Sequence, residues 1–111
     1  MEKRVVITGM GIWSCLGKTL EDVRDSLYNG KSGIIFSQER KDAGFRSALC
    51  ANIELPDIKP FLPRNLRQFM PEEAQYAYMA TRSALENAKL DQDYIDGHEV
   101  GIIYGNDSVA E

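Results

Sequence analysis

The chain has 111 residues, of which 43% are hydrophobic and 27% charged, and this balance is typical of one globular domain without a membrane span. Its formal net charge of −4 argues against nucleic acid as the main partner. Two cysteines do not make a disulfide framework, and glycines interrupt the short apolar stretch near the N-terminus that a signal peptide would need, so we expect a cytoplasmic protein.

The first thirty residues predict a strand, a loop and a helix. Val5-Val6-Ile7 is a short β-branched run, which indicates a strand buried on both faces. After a glycine-containing loop, Thr19 is placed to cap a helix that runs to about Tyr28 and stops at Asn29-Gly30. One face of that helix is apolar and consists of Leu20, Val23 and Leu27.

The middle of the chain is less regular until a long helix begins. We expect a strand within Phe45 to Ile53, and then a turn-rich connector with at most a short helix, because three prolines follow. Pro71 suits the first position of a helix that ends near Lys89. Its predicted packing face contains Met70, Ala74, Ala77, Tyr78, Thr81, Ala84, Leu85 and Ala88.

The last part of the chain predicts an acidic connector over residues 91–98 and a second buried strand over residues 100–105. Strand, helix, irregular region, long helix and strand form an α/β pattern with parallel strands. Both strands are apolar on both faces, yet the chain offers few neighbours to cover them. We therefore expect a piece of a larger domain, with poor stability on its own.

The glycines of the first loop do not form a nucleotide site. A dinucleotide-binding loop needs a third glycine where this chain has Ser14. Gly17-Lys18-Thr19 matches the end of a phosphate-binding P-loop, but the glycine required five residues earlier is Ile12. A nucleotide-binding domain is accordingly the least favoured interpretation.

Cys15, Cys50 and His98 lack the spacing of metal ligands, and we expect neither a metal nor a cofactor. Cys15 precedes a helix that could lower its pKa and make it a nucleophile. We favour the simpler interpretation, a packed loop thiol.

Charge is distributed unevenly along the second half of the chain. Residues 59–67 carry three cations and no acid, namely Lys59, Arg64 and Arg67. Residues 86–99 carry five acids against one lysine, namely Glu86, Asp91, Asp93, Asp96 and Glu99. Two interpretations stay open: two solvated faces, or a basic patch that binds an acidic partner.

The order of several short motifs resembles the N-terminal segment of the β-ketoacyl-[acyl-carrier-protein] synthases, over about Lys3 to Gly105. The opening strand and loop are matched by residues 5–11 with Ser14 and Gly17, and the turn after the first helix by residues 30–34. Residues of the synthase I branch are matched by Phe36-Ser37-Gln38-Glu39, Lys41-Asp42, Gly44 and Arg46-Ser47. The start of the long helix and the next core strand are matched by Arg64, Phe69-Met70, Tyr76-Ala77 and residues 100–105.

This resemblance implies a fold and a chemistry. The family has a thiolase-like fold with α-β-α-β-α layers, is usually homodimeric, and condenses acyl and malonyl groups carried on acyl carrier protein by phosphopantetheine, in fatty acid biosynthesis. A cysteine at a helix N-terminus is acylated, and two histidines with backbone N–H groups stabilise the enolate and the oxyanion. Neither Cys15 nor His98 matches those positions, so we assign no catalytic residue and expect the 111 residues alone to be inactive.

The resemblance also implies a binding role. Family members meet the acidic carrier protein with cations near the long helix and the loop before it, and Arg46 and Arg64 match such positions. Two neighbouring positions that are often basic in the family are Asn65 and Gln68 here, and Arg67 compensates by about one helical step. We therefore expect Arg46, Arg64 and Arg67 to bind acyl carrier protein.

A second departure from the family follows the last strand. The usual glycine-rich stretch beside the acyl pocket is replaced by Asn106, Asp107 and Ser108, which we expect to form an acyl-pocket loop. This change permits a related interpretation, a condensing enzyme for polyketide-like products. A further alternative is a module that docks carrier protein without chemistry.

Overall fold

The computed structural model describes residues 2–107, and these fall into two compact units. The inserted unit is Trp13–Glu54, and the flanking unit comprises residues 2–12 and 55–107. The inserted unit contains α1 (Leu20–Tyr28), β1 (Ile34–Phe36), α2 (Gln38–Asp42) and β2 (Leu49–Ala51). The flanking unit contains α3 (Arg64–Arg67), α4 (Glu72–Ala88) and α5 (Gln92–Gly97). No helix in this described range is both long and apolar enough to cross a bilayer.

Helix α1 has the boundaries that its capping residues predict. The Thr19 hydroxyl accepts a hydrogen bond of 3.1 Å from the backbone N–H of Asp22, which satisfies one of the unpaired donors of the first turn. Asn29 ends the helix, and Gly30 follows with a φ of 61°, a left-handed conformation that glycine adopts without strain. The predicted helix, capped by Thr19 and running to about Tyr28, is confirmed.

The sheet of the inserted unit is a hairpin with a helix in its loop. Strands β1 and β2 are antiparallel, with Ile34 opposite Ala51, Ile35 opposite Cys50 and Phe36 opposite Leu49. Helix α2 lies between them in the chain, and the Ser37 side chain caps it by accepting from the N–H of Arg40. The strand expected within Phe45 to Ile53 is confirmed as β2, whereas β1 and α2 were not predicted.

The two ends of the inserted unit meet. The indole Nε1–H of Trp13 donates to the carbonyl oxygen of Glu54 at 2.8 Å. The ammonium group of Lys18 forms an ion pair of 2.5 Å with the Glu54 carboxylate and lies 5.2 Å from the centre of the Trp13 ring. The first and last residues of the unit are therefore held together by side-chain contacts.

Helix α4 dominates the flanking unit. Pro71 precedes its first turn, in which Glu72 and Glu73 stand at the positive end of the helix dipole. Lys89 ends the helix in a left-handed conformation with a φ of 57°. The predicted long helix is confirmed, with one difference: Pro71 is the capping residue and Glu72 the first helical residue.

The opening segment of the chain lies against α4. The backbone N–H of Met10 donates to the side-chain oxygen of Asn87 at 3.1 Å. A Cβ atom built on Gly9 would come within 2.5 Å of the Ala84 carbonyl oxygen and 2.6 Å of the Ala88 Cβ. Small residues on both sides permit this close approach, which agrees with the close packing predicted from the alanines of the helix.

The predicted parallel sheet is wrong for the described residues. Neither residues 5–7 nor residues 100–104 form a strand, and the only sheet found between residues 2 and 107 is the antiparallel hairpin. Their side chains are largely exposed, with Ile7 at 86% and Ile102 at 88%. A strand needs a hydrogen-bonding neighbour, and this part of the chain supplies none to either segment. The coarser prediction of an α/β chain is consistent with helices combined with a small sheet.

The acidic connector is in fact helical. Helix α5 occupies most of it, and the Asp91 carboxylate caps the helix by accepting 2.9 Å from the N–H of Tyr94. His98 follows the helix, where its ring stacks on the Tyr94 ring at a centroid distance of 3.9 Å. Its Nδ1 lies 2.8 Å from the Tyr94 carbonyl oxygen. His98 is thus engaged locally with α5.

Candidate functional site

The basic segment between residues 55 and 70 begins with a tight, partly buried turn. The backbone N–H groups of Phe61 and Leu62 both donate to the carbonyl oxygen of Ile58 at 3.1 Å. The Ile58 side chain is only 5% exposed, and Pro56 beside it is buried as well. Prolines restrict the backbone of this segment, so it enters α3 in a defined conformation.

Helix α3 is a single turn that starts after Pro63. The Pro63 carbonyl oxygen accepts hydrogen bonds of 3.1 Å from the N–H groups of Leu66 and Arg67. Proline is well placed here, because it fixes the backbone angle and lacks only a donor that a helix end would leave unpaired. Arg64 is the first residue of this turn and is exposed to solvent.

Arg67 stands on the same turn but has a different environment. Its side chain is partly buried, and its Nε–H donates to the carbonyl oxygen of Leu62 at 2.9 Å. Leu62 is the last residue before Pro63, so this bond joins α3 to the turn that precedes it. Arg64 and Arg67 lie on the same helical turn, but the two guanidinium groups have different surroundings.

A surface cleft of about 350 Å³ opens beside this segment. Lys59 and Arg67 bring two cationic side chains to its lining, and Asp57 brings one acid. The Asp57 carboxylate accepts a hydrogen bond of 3.1 Å from the backbone N–H of Lys59. The apolar part of the lining comes from Leu55, Pro56 and Ile58, and Gln75 of α4 completes it.

A second arginine fastens the segment to α4. The Arg82 guanidinium lies 4.0 Å from the centre of the Phe61 ring and 3.0 Å from the Glu86 carboxylate. Hydrogen bonding with Tyr78, and to a lesser extent with Glu86, raises the pKa of Arg82 against the lowering effect of its burial. The charged Arg82 guanidinium holds the Phe61 ring against the helix.

Arg46 belongs to the inserted unit, in the stretch between α2 and β2, and it is exposed. Two further cations lie nearby on α2, each against an aromatic ring. The Arg40 guanidinium lies 5.1 Å from the centre of the Phe45 ring, and the Lys41 ammonium lies 5.9 Å from that of Phe36. Arg40 and Lys41 are thus engaged with aromatic rings of their own unit, whereas Arg46 is exposed.

The predicted acyl-pocket loop is described only in part. Asn106 and Asp107 are exposed, and each interacts with other groups in the structure. Ser108 lies outside the described residues. Its place beside an acyl pocket is a prediction from the sequence.

The cysteines have local packing roles. Cys15 is half-buried, and a Cβ atom built on Gly33 would lie 2.5 Å from the Cys15 Cβ, so the two residues are closely packed. Cys50 is half-buried in β2 opposite Ile35. Within residues 2–107, no three or more His, Cys, Asp or Glu side chains come together in a group that could hold a metal ion.

The sequence did not reveal the bond between Arg67 and Leu62 or the contact between Arg82 and Phe61. The first joins residues five apart across a helix start, and nothing in the spacing distinguishes Arg67 from Arg64. The second joins residues twenty-one apart. The only signal available was Phe61 itself, an aromatic residue among prolines, which is a surface that an arginine can stack against.

Comparison with known proteins shows the family of the sequence. A sequence model described as "Beta-ketoacyl synthase, N-terminal domain" matches residues 2–110. The chain is 42% identical over 105 residues to 3-oxoacyl-[acyl-carrier-protein] synthase 1 of Buchnera aphidicola subsp. Schizaphis graminum. It is 40% identical over 105 residues to the protein of the same name from Escherichia coli strain K12.

A synthase 2 relative is also similar, though less so. The chain is 30% identical over 106 residues to 3-oxoacyl-[acyl-carrier-protein] synthase 2 of a Synechocystis strain, and this match covers 94% of the chain and 25% of the relative. The two synthase 1 matches cover 94% of the chain and 26% of each relative. The chain thus spans about a quarter of the length of these curated relatives. Because the family model matches nearly every residue, the chain belongs to the β-ketoacyl synthase family, in the region of its N-terminal domain.

Proposed function

We propose that this chain serves in a cytoplasmic 3-oxoacyl-[acyl-carrier-protein] synthase of the synthase I type, which condenses acyl and malonyl groups in fatty acid biosynthesis. The observation that carries this proposal is the family match over residues 2–110. Identities of 40% and 42% to two synthase 1 proteins, against 30% to a synthase 2 protein, favour the synthase I type. No cofactor is needed for this chemistry.

The proposal includes a thiolase-like layered fold for the complete enzyme, assembled as a homodimer. The exposed apolar residues at 5–7 and 100–104 support the layered fold, because such runs are typical of strands covered on both faces. In the complete enzyme, we propose, both segments are strands of one sheet whose other strands come from outside this chain.

Within that enzyme, we propose that this chain contributes to recognition and that the reactive cysteine and histidines lie elsewhere. Cys15 and Cys50 are packed in the inserted unit, and His98 is engaged with Tyr94. Exposed cations are available instead: Arg46 in the inserted unit, and Lys59 and Arg64 in the flanking unit. Acyl carrier protein, as an acidic partner, suits such surfaces, since opposite charges speed encounter and set orientation.

We also propose that Asn106, Asp107 and Ser108 border the acyl pocket, where they replace a glycine-rich stretch of the family. Side chains that are larger and more polar than glycine change the volume and polarity of a pocket wall, so we expect a changed acyl preference. A comparison of turnover with acyl groups of increasing length tests this proposal. An unchanged preference after Asn106→Gly would count against it.

The decisive experiment is an assay of the natural polypeptide that contains this chain. Its intact mass and reading frame are determined first, and the pure protein is then given acyl- and malonyl-linked acyl carrier protein. We expect CO2 release and formation of a 3-oxoacyl product. Binding of carrier protein without any condensation would refute the enzyme and favour the docking module.

The role of Arg46 is tested by Arg46→Gln in that polypeptide. Exposed ion pairs contribute about 0.2–1 kcal/mol each, so we expect KM for the carrier-linked substrate to rise about 1.5- to 5-fold. Arg24→Gln is the matched control, because Arg24 is an exposed arginine of the same unit that pairs with its neighbour Asp25. Equal KM values for the two variants would remove Arg46 from the proposed surface.

A further inference from the structure

The three cations of residues 59–67 differ in what their side chains touch. Lys59 and Arg64 are exposed, whereas Arg67 is partly buried and its Nε–H is bonded to the Leu62 carbonyl oxygen at 2.9 Å. A group that already serves a backbone acceptor cannot turn freely toward a partner. Arg67 is therefore poorly suited to be the mobile surface charge that the sequence suggested.

The hydrogen bond from Arg67 reaches the residue at which the turn ends, Leu62. Leu62 closes the turn on Ile58 through its own N–H and precedes Pro63, which starts α3. The Leu62 carbonyl oxygen thus stands at the junction between the turn and the helix. By occupying it, Arg67 fixes the direction in which α3, and with it Arg64, leaves the turn.

The same turn is held at a second point. Arg82 of α4 stacks on the Phe61 ring at 4.0 Å, and Ile58 is buried beneath the turn with an exposed fraction of 5%. Three neighbouring residues of the turn, Ile58, Phe61 and Leu62, are therefore each fixed by a separate contact. A turn held in this way presents Lys59, which lies within it, and Arg64, which follows it, in a constant arrangement.

We infer that Arg67 is a positioning residue for acyl carrier protein, and that Lys59 and Arg64 supply the charge that the carrier meets. This inference rests on the proposed function and names how the site is built. It replaces the expectation that Arg67 compensates directly for Asn65 and Gln68. The positive charge that Asn65 and Gln68 do not provide is instead supplied by Lys59, which lies before α3.

The test is a set of methionine substitutions in the natural polypeptide, because methionine keeps an unbranched apolar stem and removes the charge. Arg64→Met and Lys59→Met are each expected to raise KM for carrier-linked substrate about 1.5- to 5-fold and to leave Tm unchanged. Arg67→Met is expected to raise KM similarly and also to lower Tm by about 2–4 °C, since a partly buried hydrogen bond is lost. The same acyl group on free pantetheine is the reference for each KM.

The decisive variant combines the changes. If Arg67 acts through the two exposed cations, adding Arg67→Met to a Lys59→Met/Arg64→Met protein still lowers Tm but raises KM no further. If Arg67 is itself a docking charge, a further rise of about 1.5- to 5-fold appears, and the inference is overturned. Arg4→Met, which changes an exposed arginine of the same unit, is the control for both readouts.

Two other results would also be decisive. A fall in Tm after Arg67→Met with no change in KM would make Arg67 merely structural and would overturn the inference alone. Absence of condensation in the unaltered polypeptide, with carrier-linked and free pantetheine substrates alike, would instead refute the proposed function, and the inference with it.

Discussion

At Gly9, the backbone approaches α4 so closely that a side chain would have no room. We predict that Gly9→Ala destabilises the protein by about 1–3 kcal/mol, because its Cβ would fall 2.5 Å from the Ala84 carbonyl oxygen. The obstacle is helix backbone, which cannot move aside as the end of a flexible side chain can. The free energy of unfolding in urea measures the loss.

Gly97→Ala is the matched control for this change. A Cβ built on Gly97 meets nothing within 4 Å, and the residue belongs to α5, where alanine is the better helix former. We expect no loss of stability for Gly97→Ala, and a gain of up to about 1 kcal/mol. If Gly9→Ala is as well tolerated as Gly97→Ala, the close approach of the opening segment to α4 is incorrect.

Tyr76 gives the protein a pH dependence in the alkaline range. Burial, and after it the carboxylates of Glu72 and Glu73, raises the pKa of Tyr76 above its ordinary value of 10.0. The neutral phenol is therefore favoured in the folded state. Its contribution to stability is complete below about pH 10 and is lost as the pH rises through the folded-state pKa.

We accordingly predict that Tyr76→Phe reduces the alkaline decline in the free energy of unfolding, measured by urea titration between about pH 9 and 11. Tyr28→Phe is the control, since Tyr28 is 85% exposed on α1. An identical decline in Tyr76→Phe and the unaltered protein would show that the Tyr76 phenol does not contribute.

Among the helices, α1 depends most clearly on its cap. Thr19→Ala removes the hydroxyl that accepts from the Asp22 N–H, and we predict a loss of about 1 kcal/mol in unfolding free energy. Thr81→Ala is the control, because Thr81 is an exposed interior residue of α4, where alanine has the higher helix propensity. Equal effects in thermal melts of the two variants would contradict the capping role.

Elements that carry their own boundary residues were predictable. Thr19 and Gly30 delimit α1, and Pro71 with two glutamates opens α4, so local chemistry sufficed. Helix α5 was not predicted, because six residues are too few to show an apolar period, although Asp91 is an ordinary cap. Strand β1 was not predicted, because its partner β2 follows an intervening helix, and pairing across such a loop leaves no local sequence pattern.

The candidate site, too, could be predicted from the sequence only in part. That Arg64 and Arg67 are cations close to the start of the long helix, and that Arg46 is a cation in a less regular stretch, can be read from the sequence. Which of them is bonded to backbone cannot, since both arginines lie on one helical turn and the bond of Arg67 to Leu62 depends on the turn before the helix. The strands predicted at residues 5–7 and 100–104 are not formed for a different reason. Their apolar patterns are typical of strands in a larger sheet, and residues 2–107 do not contain the neighbouring strands.

At the scale of the whole molecule, exposed apolar segments govern behaviour in solution. Ile102 and Ile103 are both essentially uncovered, and exposed runs of this kind favour self-association of the 111-residue chain. We predict that Ile103→Lys weakens that association, since it removes about 1.5–3 kcal/mol of burial energy. Sedimentation velocity over a range of concentrations measures the change.

Glu99→Lys is the control, because Glu99 is an exposed residue close to the same segment and the change adds the same lysine. In the natural polypeptide, where we propose that the segment is a covered strand, Ile103→Lys should instead lower Tm. Association of the 111-residue chain that does not respond to Ile103→Lys would show that its contacts lie elsewhere.

The hydrogen bond between Trp13 and Glu54 has a spectroscopic consequence. Trp13 is the single tryptophan of the chain and stands where the inserted unit closes. Four of the five tyrosines, Tyr76, Tyr78, Tyr94 and Tyr104, belong to the flanking unit. Tryptophan fluorescence excited at the red edge of the indole absorption therefore reports when the contact between Trp13 and Glu54 breaks. Tyrosine absorbance mainly follows unfolding of the flanking unit. The chain carries two built-in optical probes, and a single denaturant titration read in both channels shows whether its units unfold together or in sequence.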